Sequence, residues 1–214
     1  MSTFALIHGG GDVGWYWHLV EAELRSRGHD TVAPDLPADD DALTLDDYAD
    51  AVADAVGDRD DLVVVAQSFG GFTAPLVAAR RPVRELVMVA GMIPAPGESP
   101  DEWWTRTGYA ELPPPPGDPY AAFCHDVPRE LAEQAMSKER AHPSSTACAR
   151  PWPLATWPDV PTRFVLCTQD RFFPPDFMRR VVRERLGVTP VEIEASHCVA
   201  LSRPAELAVT LASG

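Results

Sequence analysis

The chain has 214 residues, 45% of them apolar and 23% charged, with a formal net charge of −14 at neutral pH. That length and composition suit a single domain around one buried core and argue against global disorder. The acidic balance repels phosphate backbones and anionic lipid surfaces, so neither nucleic acid nor a membrane is expected as a partner.

The densest basic runs, ARRPVR (79–84) and MRRVVRER (178–185), alternate with apolar residues at helical spacing and read as solvated faces. No stretch approaches the roughly 20 apolar residues of a membrane-crossing helix. The start, MSTFALIHGG, lacks the basic segment and long apolar run of a secretory leader, so a cytoplasmic location is expected. Cys124, Cys148, Cys167 and Cys198 show no CxxC spacing and read as free thiols, with no metal site and no cofactor expected.

In chain order, FALI (4–7) predicts a buried strand that stops at His8 and three glycines. YWHLVEAELRSRG (16–28) follows as a helix with Trp17, Val20 and Leu24 on one stripe and Gly28 at its end. DTVAPDLP (30–37) predicts a second strand. TLDDYADAVADAV (44–56) reads as a helix capped by Thr44, with acidic residues in its first turn and apolar positions at Leu45, Tyr48, Val52 and Val56. DLVVVA (61–66) is a β-branched run of the kind buried on both faces of a parallel sheet, followed by a helix in GFTAPLVAARR.

RELVMVAG (84–91) predicts a further strand. Between about 92 and 160 the alternation pauses in a Pro-rich, Trp-bearing stretch that reads as an inserted cap, with one helix at VPRELAEQAMSK (127–138). It then resumes with TRFVLC (162–167), the helix PPDFMRRVVRERLG, the strand PVEIEA (190–195) and a last helix from about Pro204. Six strands alternating with helices predict an α/β fold with a doubly wound, mostly parallel sheet, because parallel neighbours need crossovers and these are helical.

In such sheets function gathers at the carboxyl ends of the strands. Ser68 follows the strand 61–66 in AQSFGG, Asp170 follows 162–167, and His197 follows 190–195. A nucleophile, an acid and a base in that chain order suit acyl transfer through a Ser-His-Asp triad. Asp159 and Asp176 are alternative acids, and an Asp in QDRFFPP could simply cap the next helix. Asp35, also at a strand end, reads as a loop residue.

The blocks HGGGDVGW (8–15), AQSFGG (66–71), TQDRFFPP (168–175) and ASHCVALSRPAELA (195–208) resemble, in order, those of α/β-hydrolases, although Ala66 replaces the usual first Gly of the elbow motif. The His-Gly start, Trp15 and the absent early edge strands resemble the branch of plant methylesterases and hydroxynitrile lyases. The resemblance implies an oxyanion hole from the backbone N–H groups of Gly10 and Phe69. The lyases of that branch carry a Thr after the strand-end His and a Lys after the catalytic His. Gly9 and Cys198 stand there instead, which points to the esterase side.

Trp15, Trp17, Trp104 and Trp152 are candidate pocket residues, and Arg171 a candidate anion clamp. The expected partner is a small ester with an apolar or aromatic group, hydrolysed through a Ser68 acyl-enzyme. A ligand-binding relative with weak activity, or a lyase or cyclase using the same site, stays open because fold does not fix reaction.

Overall fold

A computed structural model describes residues 1–140 and 143–214. Its six strands are β1 (Thr3–Ile7), β2 (Asp30–Val32), β3 (Leu62–Gln67), β4 (Glu85–Val89), β5 (Thr162–Cys167) and β6 (Val191–Ile193). They form one sheet in the order β2-β1-β3-β4-β5-β6, every neighbouring pair parallel.

The uninterrupted apolar strands follow from this arrangement, because both faces are covered. Phe4, Leu6, Val63, Val65, Val87 and Val89 face one layer, closed by the helices His18–Ser26 and Pro204–Ala212. Their alternate neighbours Ala5, Ile7, Val64, Leu86 and Met88 face the other, with the helices Leu45–Val56 and Pro175–Leu186. A period of two in side-chain direction turns each run into two half-cores. Full burial of such a side chain stabilises by roughly 1.5–3 kcal/mol, and strands this short contribute several each.

Local signals set the element ends. Thr44 forms a full capping box with Asp47 at the start of the helix Leu45–Val56. Gly28 (φ +83°) lies just beyond the helix His18–Ser26. The helix expected behind Ser68 opens instead as a 3-10 turn, Ser68–Phe72, before Ala74–Ala78.

The reading of 178–185 as a solvated face needs correction at one residue. Arg185 turns inward, donating to Glu98 at 2.5 and 2.7 Å, and that Glu side chain is fully buried. A buried carboxylate requires such a partner; Glu98 lies 87 residues away in sequence, beyond any periodicity. Among the described residues no helix is long and apolar enough to cross a membrane.

The topology leaves room for a site at one edge of the sheet. The strand order reverses between β1 and β3, where open α/β sheets leave a crevice at the strands' carboxyl ends. Among the described residues between β4 and β5 are the short α-helices Pro100–Arg106, Pro119–Phe123, Arg129–Met136 and Ser145–Ala149, whose residues contribute to the wall of the cavity over that crevice.

Candidate active site

Ser68 leaves β3 at φ +49°, a conformation that a non-glycine residue adopts only when its surroundings impose it. The surroundings here are close-packed backbone. A Cβ on Gly71 would stand 2.0 Å from the Met92 carbonyl oxygen, and one on Gly70 would stand 2.7 Å from that of His8. The Met92 N–H donates to the Ser68 carbonyl at 2.9 Å, fixing the turn from outside. Ala66 replaces the usual glycine without disturbing this, being fully buried within β3.

His197 follows β6 and is 3% exposed. Its Nδ1 donates to Asp170 Oδ2 at 2.6 Å. The other carboxylate oxygen, Oδ1, accepts from the backbone N–H groups of Phe172 (2.8 Å) and Phe173 (2.9 Å). Asp170 therefore both closes its own turn and orients the imidazole, leaving Nε2 as an acceptor. The rings of Phe123, Phe172 and Phe173 meet the imidazole edge-on at 5.6, 5.4 and 5.3 Å and shield it from water.

The loop after β1 is braced by two buried polar groups. His8 donates from Nδ1 to the Gly9 carbonyl (2.8 Å) and accepts at Nε2 from the Leu36 N–H (2.9 Å), while burial pushes its pKa down and keeps it neutral. Asp35 accepts from the Gly14 N–H at 2.8 Å, so it serves loop structure. Gly10 then adjoins Phe69, for a Cβ at position 10 would lie 3.5 Å from the Phe69 Cβ. Phe69 sits in the first turn of a 3-10 helix, where N–H groups lack an intrahelical acceptor.

Ser68, His197, Gly10 and Phe69 all line one cavity of about 640 Å³, a volume that suits a small organic ligand. The alternative acids are elsewhere: Asp176 is 97% exposed and pairs with Arg179, and Asp159 is exposed. Gly10, the pair Ser68 and Phe69, and His197, from three distant parts of the chain, thus converge above the carboxyl edge of the sheet.

Comparison with known proteins identifies the architecture. The model of the alpha/beta hydrolase family matches residues 4–210. The chain belongs to that family. It is similar to methylesterase 7 of Arabidopsis thaliana, 27% identical over 250 aligned positions covering 98% of this chain and 95% of that protein. Polyneuridine aldehyde esterase of Rauvolfia serpentina is 26% identical, with 95% of this chain and 92% of that protein covered. Among solved structures, one of polyneuridine aldehyde esterase superposes with a TM-score of 0.83 at 23% identity, over 99% of this chain and 98% of that one. A pyrethroid hydrolase from Sphingobium faniae JZ-2 reaches 0.80 at 22%, over 99% and 96%. At those identities the superpositions speak to fold.

Three of the four tryptophans expected in the pocket do not reach this hydrolase's cavity. Trp17 is fully buried in the core under the helix pair that closes one face of the sheet. Trp152, 2% exposed, donates its indole N–H to the Phe72 carbonyl and packs in the opposite layer. Trp15 stacks on the His18 ring at 4.1 Å, with Lys138 over its face. Only Trp104 of the four lines the cavity. Arg171 donates to the Ala121 carbonyl and is not on the wall, so it is no clamp.

Asp12, Tyr16 and Gln67 are on the wall although the sequence reading assigns them no role, and Cys198, at the place of the lyases' lysine, joins them. Cys198 Sγ lies 2.8 Å from Cys124 Sγ, and that contact, with burial, pushes the Cys198 thiol pKa well up. Asp12 is half-buried on that wall. Burial first, then the charge of Glu139, push its pKa up to about 7 against the opposing influence of His197.

Proposed function

We propose that the chain is a serine-dependent carboxylic ester hydrolase that works through an acyl-enzyme on a small ester with an apolar or aromatic part. One observation carries this reading: a serine held in a strained strand-to-helix turn shares a cavity wall with a histidine whose Nδ1 proton is anchored by a buried carboxylate.

His197 Nε2 takes the proton of Ser68 Oγ as that oxygen bonds to the ester carbonyl carbon. The charge that develops on the carbonyl oxygen is met by the N–H groups of Gly10 and Phe69. Collapse breaks the bond to the alcohol oxygen, and the imidazolium returns its proton to the departing alcohol. A water, deprotonated by the same nitrogen, then attacks the acyl carbon and restores Ser68. Asp170 stabilises the imidazolium in both halves and stays ionised.

Relatives named methylesterase and esterase support an ester as the substrate. A lyase reading finds less support. Cys198 supplies no cation in place of a lysine, and a side chain at position 9 would begin 2.2 Å from Gln67 Oε1. A cytoplasmic location goes with this proposal, since the cysteines are free thiols.

Labelling with a fluorophosphonate is expected to place the adduct on the peptide containing Ser68. Ser68→Ala should stay folded and lose p-nitrophenyl acetate hydrolysis by roughly 10⁴-fold or more. Near-normal turnover by folded Ser68→Ala protein would overturn the reading, as would labelling at another residue.

A further inference from the structure

The charged groups on the cavity wall are unequal in sign and in commitment. Asp12, Asp101, Glu139 and Arg140 border the space. Arg140 is committed elsewhere: its guanidinium nitrogens lie 3.2 Å from Asp35 and 3.3 Å from Asp39. Asp101 and Glu139 are exposed and stand at the mouth, whereas Asp12 lies within. Among the described residues the wall therefore carries more carboxyl groups than guanidinium groups, and the guanidinium of Arg140 is paired with two aspartates outside it.

An independent feature points to what belongs there. Gln67 is 1% exposed, and its Nε2 is turned to the His197 carbonyl at 3.5 Å. Its Oε1 is a buried acceptor with no donor among the described residues. Such an atom is unfavourable unless something donates to it. It faces the same small space as Asp12: the point where a Cβ on Gly9 would stand is 2.2 Å from Gln67 Oε1 and 3.3 Å from Asp12 Oδ2. Ser68 Cβ is 3.1 Å from that point, so the two acceptors sit beside the reacting serine. Tyr16, 2% exposed, belongs to the same wall.

We propose that this site selects esters carrying a protonated amine a few bonds from the scissile carbonyl, and disfavours esters carrying a carboxylate there. The inference rests on the ester-hydrolase reading. An ammonium N–H would be received by Asp12 in a charge-assisted hydrogen bond, with the orphan oxygen of Gln67 adding a second negative pole close behind it. Tyr16, Trp104 and Phe123 on the same wall supply aromatic surroundings of the kind in which a weakly hydrated cation is held. The net charge of −14 draws cations toward the molecule and repels anions. Glycine at position 9 is what lets the Gln67 amide oxygen stand this close to Asp12 and Ser68.

The test compares three esters with one acyl group: 2-(dimethylamino)ethyl acetate, protonated near neutrality; its neutral isostere 3-methylbutyl acetate; and the anionic 3-acetoxypropanoate. The wild-type kcat/KM is expected to favour the cationic over the neutral ester by about tenfold or more, with the anionic ester lowest, the size of one well-placed charge interaction. Asp12→Asn should cut the cationic-to-neutral ratio by about fivefold or more; the ratio is taken within each protein, so a general loss of activity cancels. Gln67→Met should reduce it too, which keeps the test open if Asp12→Asn does not fold.

A ratio at or below one in the wild type would overturn the proposal, as would a ratio that both variants leave unchanged. If no ester is turned over, the hydrolase reading fails by itself. The charge preference is then read by thermal shift on folded Ser68→Ala protein: stabilisation by 2-phenylethylammonium but not by 3-phenylpropanoate supports it, and any other pattern overturns it.

Discussion

Two carboxyl groups bear on the imidazole of His197, and the chain surrounds them differently. Asp170, in the turn after β5, accepts two backbone N–H groups and the imidazole N–H, so its charge is fully used. Asp12, in the loop after β1, has no hydrogen-bond donor among the described residues and opens onto the cavity, where burial and Glu139 hold its proton to about pH 7. The same residue type yields a fully hydrogen-bonded anchor for the imidazole in one region and a group that titrates near neutrality in the other. Donors supplied by the backbone, rather than the residue type, decide which.

The largest effect expected from breaking this contrast is at Asp170. Asp170→Asn keeps the size of the side chain but offers His197 an amide, which can hold the wrong tautomer and cannot stabilise an imidazolium. A loss of roughly 10⁴-fold in kcat for an aryl ester is expected, whereas Asp176→Asn and Asp159→Asn, exposed and distant, should retain normal rates. A comparable loss in either of those, with Asp170→Asn active, would reassign the acid.

How far the sequence leads depends on whether a signal is local. Strand runs followed by turn residues put Ser68, Asp170 and His197 at strand ends, and the period-two alternation of Phe4 to Ile7 or Leu62 to Ala66 is visible once both faces are known to be covered. The tryptophans mislead because an aromatic residue near a site motif says nothing about which layer it faces. Trp17 and Trp152 go to opposite sides of the sheet. Asp12 is one of 32 acidic residues; what distinguishes it is enclosure by Glu139 and His197, more than a hundred positions away. Glu98 and Arg185 are hidden for the same reason.

A smaller effect sharpens the Asp170 side by separating backbone from ring. Phe172 contributes an N–H to Asp170 and a ring edge to His197. Phe172→Leu retains the first and removes the second. An aromatic pair is worth about 0.5–1.5 kcal/mol beyond its area, so kcat should fall by up to about tenfold, far less than in Asp170→Asn. A fall as large as that of Asp170→Asn would mean that the ring, and not the backbone donors, sets the acid in place.

The smallest expected effect falls on stability at Asp12, and its sign follows from the direction of the shift. The folded protein holds this carboxyl at about 7, against an ordinary value of 3.8. Between those values the native state binds a proton that the unfolded chain releases, so stability declines as pH rises through the interval. The penalty is absent below about pH 4 and complete above about pH 7 to 8. Asn at this position imitates the protonated acid at every pH. Asp12→Asn should therefore match the wild type in Tm near pH 4 and exceed it by a few degrees near pH 8, with the gap opening between. All other titrating groups are common to both proteins and cancel in the difference. A gap of the opposite sign at pH 8 would show Asp12 to be a charge that the fold requires, placing it beside Asp170 instead of in contrast to it.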